Sequence, residues 1–216
     1  MLRPLSPNLV PCEIPADTMK LYGTLTSPYV RRVRVVAAAV GVPFTMIDTK
    51  TEDGQAALRG VNPLWKVPTV EIDGQIIVDS RAIVEYLLRT RGHEQFRPVT
   101  QHGFILESNI TQVVDNALDA AIRRFYLEQD DPNISAPYLD KEKARVDSAM
   151  AWIADRVHGP WVTDEPGFGF AELALYTTLD WMRFRKAYDY SHYQSLVDFM
   201  AAHAEDMAPT APDAAG

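Results

Sequence analysis

The stretch Thr26-Ser27-Pro28-Tyr29 separates a strand pattern from a helix pattern, and the rest of the fold follows from that junction. Before it, residues 20–25 alternate in polarity, which is typical of a short strand. Ser27 is a good N-cap and Pro28 suits the first helical position, so we expect a helix to begin here. Apolar residues then recur at helical spacing, namely Val30, Val33, Ala37 and Val40.

This helix start should attract negative charge. The unpaired N–H groups at a helix N-terminus carry a partial positive charge, and here the Ser27 hydroxyl lies beside them. A hydroxyl next to free N–H groups is a reasonable place to hold an anion such as a thiolate. An ordinary capped helix after a strand has the same pattern, so these four residues alone leave both interpretations open.

Three arginines follow closely in the same helix. Arg31, Arg32 and Arg34 lie off its apolar stripe. They could bind an anionic ligand, but a solvated helix face is the commoner arrangement and is our expectation.

Composition restricts the class of protein. The chain has 216 residues, 47% hydrophobic and 23% charged, with a net charge of −8, so nucleic acid is a poor candidate for its main partner. No apolar run reaches the roughly 18 residues of a membrane-spanning helix, so we expect no membrane association. Cys12 is the only cysteine, which excludes a disulfide framework, a cysteine-based metal site and a Cys-x-x-Cys redox pair. We expect no metal, and an intracellular location is the default.

The chain continues with a repeating pattern of strands and helices. Strands are expected at residues 44–48, 67–72 and 75–78, the last two joined by an Asp73-Gly74 hairpin turn. A helix should follow from Asp79-Ser80 to Gly92. Pro68 cannot donate a ladder hydrogen bond, so it belongs at a strand start, where it is also a candidate for a cis peptide bond. The order β-α-β then β-β-α is the thioredoxin-like arrangement.

Three motifs in this region carry a family resemblance. Ser27-Pro28-Tyr29, the stretch 62–68 ending in Val67-Pro68, and Asp79-Ser80 resemble the N-terminal domain of cytosolic glutathione transferases of the bacterial type, with serine at the catalytic position. The resemblance extends from about Met19 nearly to the C-terminus. It implies an α+β two-domain protein, in which a thioredoxin-like domain precedes an all-helical one.

The resemblance also implies a role for each matched residue. Ser27 faces the glutathione sulfur, and the backbone of Val67, before the cis Pro68, pairs with the cysteinyl part of glutathione like an added strand. Asp79 and Ser80 bind the γ-glutamyl end, where a carboxylate suits an ammonium group and a helix start suits a carboxylate. Lys66 is placed to meet the glycyl carboxylate. The alternative is structural: Asp79-Ser80 caps a helix, and Pro68 starts a strand.

The second half of the chain is helical in pattern. Helices are expected at 104–128, 138–157, 170–186 and 193–203. The predicted organisation is a flexible extension at 1–18, a glutathione-binding domain at 19–93, a linker at 94–99, a helical domain at 100–207 and a loose tail at 208–216. The third helix departs from the family pattern, because Gly169 occupies the cap position, where family members have Ser or Thr, and Glu172 the acidic position.

The implied reaction is conjugation of the glutathione thiol to a small electrophile. The alternative is a glutathione-transferase-like binding or regulatory protein without significant turnover, since a fold does not fix a rate. A homodimer and a cytoplasmic location are expected from the resemblance. The electrophile is not determined by the sequence, and Asn116, Ala120, Phe125 and Tyr176 are candidates for lining its pocket.

Overall fold

The structure is a computed structural model that describes residues 18–91, 96, 100–134, 136–163 and 167–212. Most of the expected extension, including Cys12, and most of the expected linker at 94–99 lie outside these residues. The domain boundaries given above therefore stay predictions.

Four strands form one mixed sheet in the order β2-β1-β3-β4. The strands are β1 Met19–Gly23, β2 Phe44–Asp48, β3 Thr69–Ile72 and β4 Gln75–Val78. β1 pairs with β2 in parallel, as expected, and with β3 in antiparallel. The turn between β3 and β4 has positive φ at both Asp73 (52°) and Gly74 (69°), as the expected hairpin requires. The Val67–Pro68 peptide bond is cis, which confirms that prediction.

Eight helices are described around and after this sheet. They are α1 Pro28–Ala39, α2 Glu52–Val61, α3 Ser80–Arg91, α4 Gln101–Asp130, α5 Pro137–Ala154, α6 Phe170–Arg185, α7 Gln194–Ala202 and α8 Ala204–Met207. α1 packs against α3 and α6, and α4 packs against α5 and α6. The predicted fold class, a thioredoxin-like domain followed by a largely helical part, is confirmed.

Helix α6 is the central helix of the second half. Every residue from Phe170 to Met182 is buried, since neighbouring helices surround this segment. A helix that is covered all round needs apolar residues on every face, and its Leu, Ala and aromatic residues provide them. At its start, the carboxylate of Glu172 accepts from the N–H of Gly169 (3.0 Å) and of Val162 (3.1 Å). Glycine supplies no side-chain oxygen at this cap, so only half of a capping box is present.

The expectation of a solvated arginine face on α1 is wrong. Arg31 is 3% exposed and Arg32 is fully buried. Arg31 pairs with Asp180 on α6 at 2.5 Å, and Arg32 pairs with Asp115 on α4 at 2.5 Å. These arginines therefore join the sheet-containing half of the protein to the helical half.

The expectation of a loose tail is wrong for its first residues. Ala208–Thr210 form a 3-10 turn after α8. The Thr210 hydroxyl accepts from Arg31 Nε (3.2 Å), and the Thr210 carbonyl accepts from Arg34 Nη1 (3.3 Å). The arginines of α1 thus also hold this segment, while residues 213–216 lie outside the described chain.

Candidate functional site

A cavity of about 520 Å³ lies between the sheet-containing half and the helical half. One wall comes from the start of α1, the loop before β3 and the start of α3. The opposite wall comes from α4 and α6. The six candidate residues of the sequence analysis all line this cavity, namely Ser27, Lys66, Val67, Pro68, Asp79 and Ser80.

Ser27 is the N-cap of α1 and opens into the cavity. Its Oγ accepts a hydrogen bond from Val30 N at 3.3 Å, which satisfies one of the free N–H groups of the helix start. That bond uses an acceptor lone pair of the hydroxyl, so its O–H can still donate to a group in the cavity. The helix start and the hydroxyl together favour a negatively charged atom next to Ser27.

Asn62 organises the loop that carries the cis proline, a role that was not predicted from the sequence. It is 1% exposed, and its Nδ2 donates to the Lys66 carbonyl (3.0 Å) and to Thr69 Oγ1 (2.9 Å). Its Oδ1 accepts from Leu64 N at 2.8 Å. One buried amide thus fixes both ends of residues 62–69. The only indication of this in the sequence is that Asn62, a residue type common in turns, is followed by Pro63.

The backbone of Val67 faces the cavity just before β3. Within the described chain, neither its N–H nor its C=O takes part in a hydrogen bond with the protein. An N–H and a C=O on one residue can pair with an extended peptide, as a neighbouring strand would. Lys66, beside it, is exposed and brings a positive charge to the same rim.

Asp79 and Ser80 form the start of α3. The Asp79 Oδ1 accepts from Arg81 N at 2.8 Å, and the Asp79 carbonyl accepts from Ile83 N at 3.1 Å. Asp79 therefore does cap the helix, as the structural alternative held. The residue is exposed at the cavity, so the second carboxylate oxygen can accept from a cationic ligand, and Ser80 is buried at the same wall.

Backbone strain concentrates at this cavity. Among the described residues, four that are not glycine have positive φ. Asp73 and Lys186 occupy a hairpin turn and a helix C-cap, where this conformation is common. Trp65 (54°) and Asp79 (75°) both line the cavity instead. Left-handed backbone at non-glycine residues is often kept where a site needs a particular orientation.

Tyr29 is held by the helical wall. Its hydroxyl donates to Asp119 Oδ1 at 2.7 Å, and its ring lies 4.8 Å from the guanidinium of Arg32. Burial, followed by the nearby Asp119, raises the pKa of Tyr29 well above its usual range. Its proton is therefore committed to Asp119, so of the two neighbouring hydroxyls Ser27 and Tyr29, Ser27 is the one able to donate into the cavity.

The four pocket residues suggested from the helical half do not line this cavity. Ala120 and Asn116 lie at a separate groove between α4 and α5. Phe125 packs edge-on against Trp181, and the Tyr176 ring lies beside Arg31. Asn116 and Ala120 were taken from the wrong face of α4. The apolar residues of this helix do not by themselves indicate which of its faces meets the first domain.

The helical residues that do line the cavity were missed. They are Asp115, Asp119, Ile122, Tyr126, Trp181 and Arg185. The first four recur at i, i+4, i+7 and i+11, which is one face of a helix. That spacing is visible in the sequence. The four residues mix charged and apolar side chains, however, so they do not form a continuous apolar stripe that would mark a buried face.

The described residues include no group of three or more His, Cys, Asp or Glu side chains that could hold a metal ion. None of the described helices is long and apolar enough to cross a membrane.

The side chains and backbone groups of the cavity are suited to an anionic sulfur at Ser27, an extended peptide backbone at Val67, an ammonium group at Asp79 and an apolar body against α4 and α6.

Known proteins resemble this chain in sequence and in fold. Residues 21–95 match the family model described as "Glutathione S-transferase, N-terminal domain". Over 72 residues the chain is 39% identical to a probable maleylacetoacetate isomerase of Caenorhabditis elegans, covering 32% of this chain and 34% of that protein. Over 83 residues it is 29% identical to glutathione S-transferase U6 of Arabidopsis thaliana, covering 38% and 37%. The matches thus span about a third of the length of these relatives.

Solved structures match over nearly the whole chain. A glutathione S-transferase of Methylobacillus flagellatus with glutathione bound has a TM-score of 0.78 and 28% identity, covering 91% of this chain and 100% of that one. A glutathione S-transferase of Methylobacterium radiotolerans in complex with glutathione sulfonate has a TM-score of 0.80. At 22% identity, with 92% and 96% of the two chains covered, it supports the fold alone.

Proposed function

We propose that this chain, a member of the glutathione S-transferase family, conjugates the thiol of glutathione to a small electrophile. The observation that carries this proposal is Ser27, a hydroxyl with an available proton at a helix start inside the cavity. Glutathione is a substrate here and not a resident cofactor. The proposal assigns no metal to the reaction.

In the proposed site, five groups of the protein each contact a different part of glutathione. Ser27 donates its O–H to the sulfur, and the Val67 N–H and C=O pair with the cysteinyl backbone. Asp79 accepts from the γ-glutamyl ammonium, while Ser80 and the start of α3 bind the γ-glutamyl carboxylate. Lys66 is proposed to meet the glycyl carboxylate. The cis Pro68 follows Val67 in this wall.

The proposed chemical step is nucleophilic attack by the thiolate. The thiol proton passes to solvent, and the thiolate then forms a carbon–sulfur bond with the electrophile. The leaving group departs with the electron pair of the bond that breaks. A free cysteine thiol has a pKa of about 8.5, so only about 3% is thiolate at neutral pH. A hydroxyl donor and a helix N-terminus both stabilise the charged form.

The direct experiment is calorimetric titration with glutathione, followed by turnover of a chromogenic aryl chloride. We expect saturable binding below millimolar glutathione and release of chloride with each conjugate. Absence of binding heat at millimolar glutathione would refute the proposal. Binding without turnover of any electrophile would favour the alternative, a binding or regulatory protein.

We also propose a cytoplasmic homodimer with a role in detoxification, on the family resemblance. Large apolar side chains that a partner would cover are exposed on the edge strand β4 and early in α4, including Ile76 (42%), Phe104 (58%) and Ile105 (50%). Light scattering should give twice the chain mass at micromolar concentration. A monomer mass throughout that range would contradict the dimer.

A further inference from the structure

Arg185 differs from the other arginines near the cavity in lacking a carboxylate partner. Arg31 pairs with Asp180, while Arg32 and Arg81 share Asp115. In the part of the chain that the structure describes, no ion pair involves Arg185, and its buried Nε has no hydrogen-bond partner. Because Arg185 lines the cavity and its charge is not neutralised by a carboxylate, the other N–H groups of its guanidinium can donate to an anionic ligand there.

The surroundings of Arg185 suit a flat organic ligand. Its guanidinium lies 5.6 Å from the ring of Phe125 and 5.0 Å from the ring of Phe184. Trp181 and Tyr126 contact the same Phe125 ring and also line the cavity, so they add apolar surface close to Arg185. A guanidinium held against aromatic rings presents a planar pair of N–H donors, the geometry that binds a carboxylate through both oxygens.

Two acidic residues of the helical wall, Asp115 and Asp119, already have partners of their own. Asp115 is paired with Arg32 and with Arg81, and Asp119 accepts from the Tyr29 hydroxyl. Along α4, Phe125 is six residues beyond Asp119, a rise of about 9 Å. Both carboxylates are thus engaged by other groups, and Asp119 is separated along the helix from the Phe125 ring that Arg185 contacts.

We propose that the second substrate is an aromatic electrophile that carries a carboxylate, and that Arg185 binds this carboxylate. The inference rests on the proposed glutathione transfer and names the substrate class of the same site. Its carboxylate lies at the Arg185 end, and its electrophilic carbon faces the Ser27 end, where the thiol is bound. Arg185 thus determines specificity and takes no part in the bond changes.

The probe for turnover is 4-chloro-3,5-dinitrobenzoate, compared with its neutral methyl ester. In both reactions the glutathione thiolate forms a carbon–sulfur bond at the chlorinated carbon, and chloride leaves with the electron pair of the broken carbon–chlorine bond. The two probes share the reacting carbon and the ring. They differ in the negative charge that Arg185 is proposed to bind, and also in intrinsic reactivity, because the ester activates the ring more strongly than the carboxylate. Each enzymatic rate is therefore divided by the uncatalysed rate of the same probe with glutathione.

The variants are Arg185→Gln and the matched control Arg183→Gln. The control removes the same charge two residues away on α6, where Arg183 is 65% exposed and paired with Asp180. After this correction, wild type should prefer the acid to the ester in kcat/KM. Arg185→Gln should lower kcat/KM for the acid about 10- to 100-fold, the range for a hydrogen bond to a charged group, and leave the ester unchanged. Arg183→Gln should alter neither.

A binding measurement decides the inference independently of turnover. Calorimetry with unreactive 3,5-dinitrobenzoate and its methyl ester, both in the presence of glutathione, should show tighter binding of the acid. That preference should be lost in Arg185→Gln and kept in Arg183→Gln. Equal affinities for acid and ester in wild type, or equal losses in the two variants, would overturn the inference. If the acid binds as expected and neither chlorinated probe reacts, the proposed transferase function fails while the role of Arg185 stands.

Discussion

Replacing Arg32 by methionine tests the ion pair that joins the two halves of the protein beneath the site. The guanidinium of Arg32 is fully buried and donates to Asp115 (2.5 Å), to Thr177 Oγ1 (3.0 Å) and to Thr178 Oγ1 (3.2 Å). The variant leaves Asp115 only 15% exposed, with Arg81 at 3.7 Å as its remaining cation.

The expected loss of stability follows from these contacts. Removing one partner of a buried pair costs about 3–5 kcal/mol, because the other charge stays buried. Asp115 remains close to Arg81 and partly exposed to solvent. We therefore expect a loss of stability at the lower end of this range, about 3 kcal/mol. The double variant Arg32→Met/Asp115→Leu removes both charges and should recover much of that loss.

The assay is urea unfolding of the ligand-free protein, in which the free energy of unfolding is extrapolated from the transition. The control is Lys143→Met, because Lys143 and Asp147 form a pair in which both side chains are about half exposed. That variant should lose less than about 0.5 kcal/mol. A loss below 1 kcal/mol for Arg32→Met, or a double variant as unstable as the sum of its single variants, would refute the reasoning.

Three further predictions concern the site. Asp79→Asn keeps a capping side chain but removes the charge, so glutathione should bind about 1.5–3 kcal/mol more weakly by calorimetry; unchanged affinity would contradict the role of Asp79. Asn62→Ala should destabilise the protein by about 1–3 kcal/mol in urea unfolding, because the Thr69 and Leu64 contacts of the buried amide are lost, whereas a neutral effect would argue against its organising role. Because burial raises the pKa of Tyr29, the folded state keeps this proton while the unfolded state loses it near pH 10, so stability should fall as pH rises above about 10. Tyr29→Phe should reduce this loss of stability at high pH. An identical pH dependence of stability in wild type and Tyr29→Phe would contradict the prediction.

Local patterns predicted the first half of the fold well. The strand before Ser27, the proline inside the helix start and the Asp73-Gly74 turn each specify their backbone within a few residues. Their order then limited the topology to a thioredoxin-like sheet, and β1 Met19–Gly23 with α1 Pro28–Ala39 followed closely.

The long-range polar contacts were not predictable in the same way. The partners of Arg31 and Arg32 lie 149 and 83 residues along the chain, so three neighbouring arginines look like a solvated face until the helices pack. The helical wall of the cavity was missed for the same reason. Which face of α4 meets the first domain depends on packing against α1 and α6, and periodicity alone does not fix it.

The most direct test of the central claim is the pH titration of the thiol in bound glutathione, followed by the ultraviolet absorbance of the thiolate. In wild type we expect a thiol pKa about two units below the free value of about 8.5, a stabilisation of roughly 2.7 kcal/mol for the thiolate. In Ser27→Ala the pKa should return towards the free value and turnover should fall about 10- to 1000-fold, with glutathione affinity nearly unchanged. Ser27→Thr, which retains a hydroxyl at the cap, should stay close to wild type. An identical thiol pKa and turnover rate in wild type and Ser27→Ala would contradict the claim that the Ser27 hydroxyl activates glutathione.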